Sequence, residues 1–326
     1  MARSDLLINL VRAGSRGDQL LFQKTVEAII AEERKKQHHI LAKRLEESLS
    51  SNVSVNHNKV LSTTDERIQN LVFEIIPQKN LNDLILPETV VKVCKEVVEE
   101  HQRQELLRSY GLEPRHKILL VGPPGNGKTS LAEALSKLLM VPLLVVRYDG
   151  VIGSYLGETA IRLSRLFNFV KSRHCVLFFD EFDTLGKERG DAHETGEIKR
   201  VVSSLLLQID DLPSHVVVVT ATNHPELLDR AVWRRFQLRM LLPNPQKTDL
   251  EIWFRRFEER LQSSLGYKPS TLAEKLEGLS FAEVEEFGID ILRQHILTLP
   301  NGNLKSIVNE RLKQWKEHFS PDKGLV

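Results

Sequence analysis

The sequence predicts an α/β fold in which a parallel sheet of five strands lies between helices. Short apolar runs rich in Val, Ile and Leu alternate with longer stretches of helical periodicity. Such runs, without polar alternation, are typical of strands that are covered on both faces. The predicted strands are residues 118–121, 143–146, 176–179, 216–219 and 238–242. Strand patterns stop after Pro243, so residues 247–318 predict a second, all-helical subdomain.

Composition indicates a globular protein with a sizeable core. The chain has 326 residues, which suggests two domains or one domain with substantial additions. Hydrophobic residues make up 41% and charged residues 27%, so intrinsic disorder is excluded for most of the chain. The 45 Lys and Arg side chains against 44 Asp and Glu leave a net charge of +1. This balance makes nucleic acid an unlikely partner and gives no reason to expect an anionic membrane.

Cysteine usage and the apolar pattern predict a cytoplasmic protein. The two cysteines, Cys94 and Cys175, provide no disulfide framework, which is typical of a reducing compartment. No apolar run approaches the ~20 residues that a membrane-spanning helix needs. The first residues do not fit a secretory signal, because Asp5 lies where a basic region belongs and Arg12 ends the apolar segment.

The chain divides into four predicted parts. Residues 1–50 carry two stretches of helical spacing, which predict an N-terminal helical hairpin. Residues 51–70 are predicted to be a linker, because their first half is rich in Ser and Asn and lacks periodicity. Residues 71–244 are predicted to form the large α/β subdomain and residues 245–326 a helical lid subdomain.

A glycine-rich loop follows the first predicted strand and precedes a helix. Residues 122–129 read Gly-Pro-Pro-Gly-Asn-Gly-Lys-Thr, and a strand before and a helix after are the context that a phosphate-binding loop requires. Glycines let backbone N–H groups converge on the phosphates of a nucleotide, and the helix N-terminus adds its dipole. Lys128 is expected to reach the β and γ phosphates, and Thr129 to offer its hydroxyl to Mg²⁺. The predicted nucleotide ligands are Gly122, Pro123, Pro124, Gly125, Asn126, Gly127, Lys128, Thr129, Ser130 and Asp180.

Two adjacent carboxylates end the strand at residues 176–179. Asp180 is placed to hold Mg²⁺ together with Thr129, and Glu181 to polarise the attacking water. An acidic strand end alone is common and usually structural. About fifty residues after a phosphate loop, the pair instead predicts nucleotide hydrolysis, with Asp183 following close behind.

Together these motifs resemble the AAA family of ATPases, over residues 75–318. Residues 220–223, Thr-Ala-Thr-Asn, resemble the family's sensor motif, which implies that Asn223 orients the attacking water. Residues 228–236 resemble its arginine-finger segment. The resemblance implies that Arg234 and Arg235 reach the nucleotide of a neighbouring subunit and stabilise transition-state charge, whereas two arginines taken alone are more often a solvated surface feature.

Two further segments are compared with the same family. Tyr155, Leu156 and Gly157 resemble the loop that lines the central pore of protein-remodelling rings, with Tyr155 gripping a polypeptide. The alternative is a tyrosine packed in an ordinary strand-to-helix turn. Residues 278–283 resemble the lid motif, but Phe281 stands where a glycine is usual and Glu283 where an aspartate is, which questions the adenine-side contacts.

The first fifty residues resemble the N-terminal segment of bacterial AAA ATPases encoded beside a subtilisin-like serine protease. The resemblance rests on residues 4–14 and 25–34. Such pairs are associated with toxin–antitoxin systems or antiviral defence against phage. The segment carries no catalytic or ligand-binding motif, so it suggests a protease partner only through this resemblance.

The resemblance implies a P-loop ATPase that binds ATP and Mg²⁺, assembles into a homo-oligomer, a hexamer, and remodels or regulates a protein partner. Two alternatives stay open. One is a DNA-associated ATPase of the initiator or partition type, although Ala282 and Glu283 occupy the start of the helix where such relatives carry an arginine. The other is an ATP-dependent switch that controls a protease without threading it, which keeps every ATPase residue and removes only the role of Tyr155.

Overall fold

The computed structural model describes most of the chain after residue 69. The described residues are 70–151, 156–185, 194–299 and 303–318, with positions 25, 26, 28, 29 and 68. The chain divides into two compact units, residues 1–64 and 65–326. In the first unit Val26 and Ile29 are buried and helical. The rest of the predicted hairpin, and most of the predicted linker, lie outside the described residues, so the four predicted domain boundaries stay predictions.

The second unit contains a mixed sheet of six strands in the described ranges. They are β1 (Val72–Ile75), β2 (Lys117–Val121), β3 (Leu143–Val146), β4 (Cys175–Phe179), β5 (Val216–Thr222) and β6 (Leu238–Leu241). Their order across the sheet is β1-β3-β4-β5-β2-β6. The parallel arrangement of β2 to β6 confirms the predicted α/β fold. The prediction of five strands, all parallel, is wrong in one respect, because β1 adds a sixth strand antiparallel to β3.

The edge position of β1 explains why its sequence does not predict a strand. Central strands are covered on both faces and therefore read as continuous apolar runs. Strand β1 is bordered on one side only, and its residues alternate between the buried Val72 and the 44% exposed Phe73. Glu74 interrupts the apolar pattern further. A four-residue edge strand of this kind does not differ from a loop in sequence.

Helices cover both faces of the sheet and form the lid. They are α1 (Glu88–Gln102), α2 (Gln104–Ser109), α3 (Lys128–Leu139), α4 (Tyr148–Val151), α5 (Leu156–Lys171), α6 (Glu194–Asp210), α7 (Arg230–Arg235), α8 (Lys247–Leu261), α9 (Pro269–Lys275), α10 (Phe281–Thr298) and α11 (Leu304–His318). Short 3₁₀ turns occupy Leu81–Asp83, Phe182–Leu185 and Pro225–Leu227. In the described ranges, no helix combines the length and the apolar character that crossing a bilayer requires.

Alternate residues of each central strand enter two different cores. In β2, Leu119 packs with the buried face of α5 and α6, which includes Phe167. Its neighbour Ile118 packs on the opposite face with α1 and α3, through residues such as Val97 and Leu131. Both faces of the strand are therefore buried, as the apolar run predicts.

The lid subdomain has its own aromatic core. Helices α8 to α11 bury Phe254, Phe257 and Phe287 among aliphatic side chains. Trp253 stacks on Phe257 with ring centroids 5.0 Å apart and an angle of 14° between the planes. Gly288 allows this arrangement, because a Cβ there would lie 2.6 Å from the Trp253 indole. The lid thus presents an ordered aromatic pair on α8.

Candidate nucleotide-binding site

The carboxyl ends of three adjacent strands bring the predicted site residues together. Strand β5 lies between β4 and β2, so the segments that follow these strands meet at one edge of the sheet. The backbone N–H of Gly122 donates to the Thr222 carbonyl at 3.2 Å, which joins the start of the phosphate loop to the end of β5. Ligands of open α/β sheets bind at this edge.

The phosphate loop ends in a left-handed turn that starts α3. Gly127 has φ +82°, a conformation that costs glycine little and other residues much more. Lys128 follows as the first helical residue and is only 7% exposed. Its Nζ donates to the Gly122 carbonyl at 2.7 Å, the Pro123 carbonyl at 2.8 Å and Asn223 Oδ1 at 2.6 Å. Burial lowers the pKa of Lys128, whereas the nearby Asp180 and Asp183 carboxylates oppose this shift.

Thr129 and Asp180 form the polar pair expected around a magnesium ion. The Thr129 hydroxyl donates to Asp180 Oδ2 at 3.0 Å. Hydroxyl and carboxylate oxygens are hard ligands, and Mg²⁺ binds commonly through one or two protein oxygens together with substrate phosphates and water. The donor set of these two residues fits Mg²⁺.

Glu181 occupies an unusual backbone conformation. It has φ +45°, and its N–H donates to Asp180 Oδ1 at 2.9 Å. Left-handed backbone costs a residue other than glycine about 1–3 kcal/mol and persists where the surroundings enforce it. The turn places the exposed Glu181 beside the cavity described below.

Asp183 supports this arrangement, although the sequence assigned it no role. It is 2% exposed and accepts hydrogen bonds from Thr222 Oγ1 at 2.9 Å and from the Asn223 N–H at 3.4 Å. Asn223 is therefore held on both sides, by Asp183 at its backbone and by Lys128 at its amide oxygen. A third acidic residue soon after Asp180 was the only available sequence signal.

Tyr148 places a buried hydroxyl close to the acidic residues. Tyr148 is the first residue of α4, and it lies close enough to Asp180, Asp183 and Glu181 for their charges to act on its hydroxyl. The Tyr148 hydroxyl has no hydrogen-bond partner among the described residues. Burial first, and then the neighbouring carboxylates, raise the pKa of Tyr148 far above its usual range. No motif in the sequence predicts a role for this residue.

A cavity of about 1210 Å³ joins the phosphate loop to the lid. Its phosphate end is lined by ten predicted site residues: Pro124, Gly125, Asn126, Gly127, Lys128, Thr129, Ser130, Asp180, Glu181 and Asn223. The lining also includes apolar side chains, Leu84, Leu86, Trp253, Phe257 and Phe281, and charged side chains, Asp83, Arg256, Arg260 and Glu285. The polar lining matches phosphates, and the apolar lining matches a flat aromatic base.

Lys79 adds a second cation at the phosphate end of the cavity. Its Nζ donates to Ser130 Oγ at 2.8 Å and lies 3.5 Å from a Glu133 carboxylate oxygen. Glu133 also accepts the backbone N–H groups of Gln78 and Lys79, which fixes this loop against α3. The sequence alone did not predict this lysine as a ligand, because it lies about fifty residues before the loop it contacts.

The two candidate arginine fingers lie far from the phosphate loop of the same chain. Arg235 Nε donates to Asp210 Oδ2 at 2.8 Å, and Lys117 lies 3.4 Å from the same carboxylate. Lys117 begins β2 and the phosphate loop follows its end, so five residues of strand separate the two places, about 16 Å. Arg234, the last residue but one of α7, is exposed. The structure therefore does not bring this pair to its own nucleotide site.

The predicted pore segment is only partly described. Tyr155 lies outside the described residues. Leu156 and Gly157 form the start of α5, and the placement of the Leu156 side chain lies outside the described part. The segment follows β3 and α4 directly in the chain. Its role stays a prediction.

The fold and this cavity define a P-loop nucleoside triphosphatase with a helical lid. The family described as "ATPase family associated with various cellular activities (AAA)" matches residues 118–244, which run from β2 past the end of β6. The AAA family ATPase y4kL of Sinorhizobium fredii is 35% identical over 97% of this chain and 93% of its own length. The chain belongs to the AAA family, and its membership of this ATPase family confirms the predicted ATPase activity.

Two other relatives carry more specific names. The cell division cycle protein 48 homolog of Archaeoglobus fulgidus is 31% identical over 74% of this chain and 37% of its own length. The 26S proteasome regulatory subunit 8 homolog of Encephalitozoon cuniculi is 28% identical over 80% of this chain and 70% of its own length. The chain thus spans well under half of the Archaeoglobus relative and most of the Encephalitozoon one.

Asp183→Ala should lower both stability and ATP turnover. The substitution leaves the buried Thr222 hydroxyl and the Asn223 N–H without their acceptor, at a cost of about 1–3 kcal/mol for each group. Thermal unfolding should show the loss of stability, and phosphate release the loss of turnover. Asp211→Ala is the matched control, because Asp211 pairs with Lys171 on the surface. Equal behaviour of the two variants would contradict a supporting role for Asp183.

Proposed function

We propose that the protein assembles into a ring, a hexamer, that hydrolyses ATP to remodel or regulate a protein partner. The observation that supports this proposal is the position of Arg235 near the start of β2, at the end of the strands away from its own phosphate loop, with the exposed Arg234 next to it in the chain. A finger stabilises charge that develops on the transferred phosphoryl group, so it must reach a nucleotide. Only the nucleotide of a neighbouring subunit meets this requirement.

Lys128 and Asn223 prepare the site for the γ phosphate. In the structure the Lys128 ammonium is satisfied by two loop carbonyls and the Asn223 amide. Phosphate oxygens are stronger acceptors for an ammonium than neutral carbonyls, so ATP is expected to take over part of this coordination. Asn223 then becomes available to orient the attacking water, beside the Glu181 carboxylate that accepts its proton.

Thr129 and Asp180 are the residues that would hold Mg²⁺. When bound, the ion polarises phosphate oxygens and neutralises charge that develops during transfer. The two side chains already lie within hydrogen-bond distance, so little rearrangement is needed to present both oxygens to one ion.

The remaining cavity accommodates a purine nucleoside. Leu84, Leu86 and Trp253 contribute apolar surface to its lining, and Trp253 is stacked on the buried Phe257. An aromatic wall of this kind stacks on a flat base. Phe281, which replaces the usual glycine, therefore does not abolish the base site but lines it. Lys79, beside Ser130, is placed to contact the α phosphate.

Names of relatives and the N-terminal resemblance support a protein partner. One relative is named as a homolog of a 26S proteasome regulatory subunit, a name that associates it with a complex made of protein. Within the proposal, the specific partner is a subtilisin-like serine protease in a toxin–antitoxin or phage-defence pair, and the location is the cytoplasm. This part rests on the resemblance of residues 1–50 and on cysteine usage.

Lys128→Ala and Glu181→Gln should fail at different steps. The first removes the charge that faces the β and γ phosphates, so ATP binding should be lost. The second keeps the cavity and removes the base, so ATP should bind while turnover falls by about 10²–10⁴. Binding is measured by calorimetry and turnover by phosphate release. Lys137→Ala is the control within α3, because Lys137 Nζ donates to the Gln78 carbonyl outside the cavity. Near wild-type turnover of Glu181→Gln would exclude it as the base.

Arg234→Ala should depress turnover by up to about 10³–10⁵ and leave ATP affinity nearly unchanged, because a finger acts in the transition state. Doping wild-type protein with this variant should lower turnover more than in proportion to the fraction added. A strictly proportional decrease would contradict a site shared between subunits.

The same measurement separates the two arginines. Arg235 is bonded to Asp210 in its own chain, so Asp210→Ala serves as a matched variant that keeps the arginine and removes this one bond, together with the Lys117–Asp210 pair. If Arg235 is a finger, Arg235→Ala should reduce turnover far more than Asp210→Ala does. Equal losses would assign Arg235 to structure and leave Arg234 as the finger.

Tyr155→Ala should separate threading from switching. The proposed hydrolytic groups Lys128, Asp180 and Asn223 adjoin the ends of β2, β4 and β5 and hydrogen-bond to one another or to the phosphate loop, so basal ATPase activity should stay within a fewfold of wild type. Loss of an aromatic grip should abolish client unfolding or protease control, since such a contact contributes about 1–3 kcal/mol in each subunit. ATPase rate and partner-dependent activity are measured in one preparation. Survival of both would favour the switch, and loss of both would make Tyr155 structural.

A further inference from the structure

The Asn126 side chain connects three parts of the molecule. It belongs to the phosphate loop and is only 3% exposed. Its Nδ2 donates to Asn244 Oδ1 at 2.7 Å, and its Oδ1 accepts the backbone N–H of Phe281 at 3.3 Å. Asn244 lies between β6 and α8, where the large subdomain continues into the lid, and Phe281 is the first residue of α10. One amide therefore contacts the loop, the hinge and the lid.

The lid helix also packs directly on the neighbouring glycine. The N–H of Ala282 donates to the Gly125 carbonyl at 3.0 Å. A Cβ on Gly125 would lie 2.8 Å from Ser280 Oγ and 2.9 Å from Ala282 Cβ, so a side chain there requires the lid to move. The start of α10 and the phosphate loop thus form one closely fitted contact.

The hinge at Asn244 leads into α8, the helix that carries the base wall, which is the stacked pair Trp253 and Phe257. Helix α8 starts three residues later and presents Trp253 and Phe257 to the cavity. Farther along, Arg256 Nη1 donates to the Asp83 carbonyl at 2.9 Å, a second contact of α8 with the large subdomain. Asn126 fixes the segment between β6 and α8 at Asn244, next to the phosphate loop.

We propose that Asn126 is a positioning residue that holds the lid at a fixed angle over the phosphate loop, so that the base wall is in place when ATP arrives. The proposal rests on the nucleotide site proposed above. Threonine, by comparison, has one hydroxyl on a shorter side chain. It lacks the separate donor and acceptor with which Asn126 reaches Asn244 and Phe281 together.

A residue that positions the lid affects ATP capture, whereas one that shapes the loop affects the phosphate chemistry. Asn126→Ala and Asn126→Thr should therefore raise the KM for ATP by about tenfold, the loss expected for a buried hydrogen-bond pair, while kcat changes much less. Asn244→Ala should reproduce the effect from the other partner. Because Asn244 is exposed, this variant tests the proposal even where Asn126→Ala fails to fold.

The experiment is a double-mutant cycle on the full-length protein, read by steady-state ATPase kinetics. If the two amides act through their shared hydrogen bond, the double variant should be little worse than either single variant. Asn309→Ala is the control, because Asn309 accepts from the Tyr267 hydroxyl inside the lid and should leave KM unchanged. Additive losses, a fall in kcat at constant KM, or wild-type kinetics would each overturn the proposal.

A separate measurement tests the proposed nucleotide site, on which the role of Asn126 rests. Calorimetry of Lys128→Ala with ATP tests the nucleotide site itself. Unchanged affinity of that variant would contradict the site, and with it the function of Asn126. Lost affinity together with wild-type kinetics of Asn126→Ala and Asn244→Ala would overturn only the positioning role.

Discussion

Burial of the Lys128 ammonium is the constraint on which the rest of the site depends. A charge removed from water must be compensated by hydrogen-bond acceptors, and this one has three. Two acceptors are loop carbonyls, so the loop has to fold back over the lysine. The third is Asn223, so the end of β5 must lie beside the loop. The order of strands in the sheet provides that neighbour.

The same constraint extends outward through buried polar groups. Asn223 is fixed by Asp183, whose carboxylate also accepts from Thr222 at the end of β5. On the other flank, Asn126 carries the fixed geometry into the hinge and the lid. A fully satisfied polar network of this kind specifies one arrangement more sharply than apolar packing does. These hydrogen bonds fix the relative positions of the site residues, and Asp180 and Asp183 lie close enough to Lys128 for their charges to act on it.

Sequence predicts the parts of this molecule that depend on local pattern. The phosphate loop, the acid pair and five strands were predictable, because each has a chemical or periodic signature over a few residues. The edge strand β1 was not, since an edge lacks the two-sided burial that produces an apolar run. Lys79 and Tyr148 were also not predictable as site residues, because the groups they lie beside are distant in the chain. The sequence predicts Asn126 as a nucleotide ligand, but its side chain bonds to Asn244 and Phe281, which are distant in the chain.

In the ring proposed above, the distance between the phosphate loop and the arginines of α7 would make catalysis a collective property. A dissociated subunit would contain every other proposed catalytic group and lack only the arginine of its neighbour, so dilution would stop turnover without unfolding the chain. Turnover would then rise faster than protein concentration until rings are complete. The abundance of the protein would itself control ATP consumption, and isolated chains would not consume ATP.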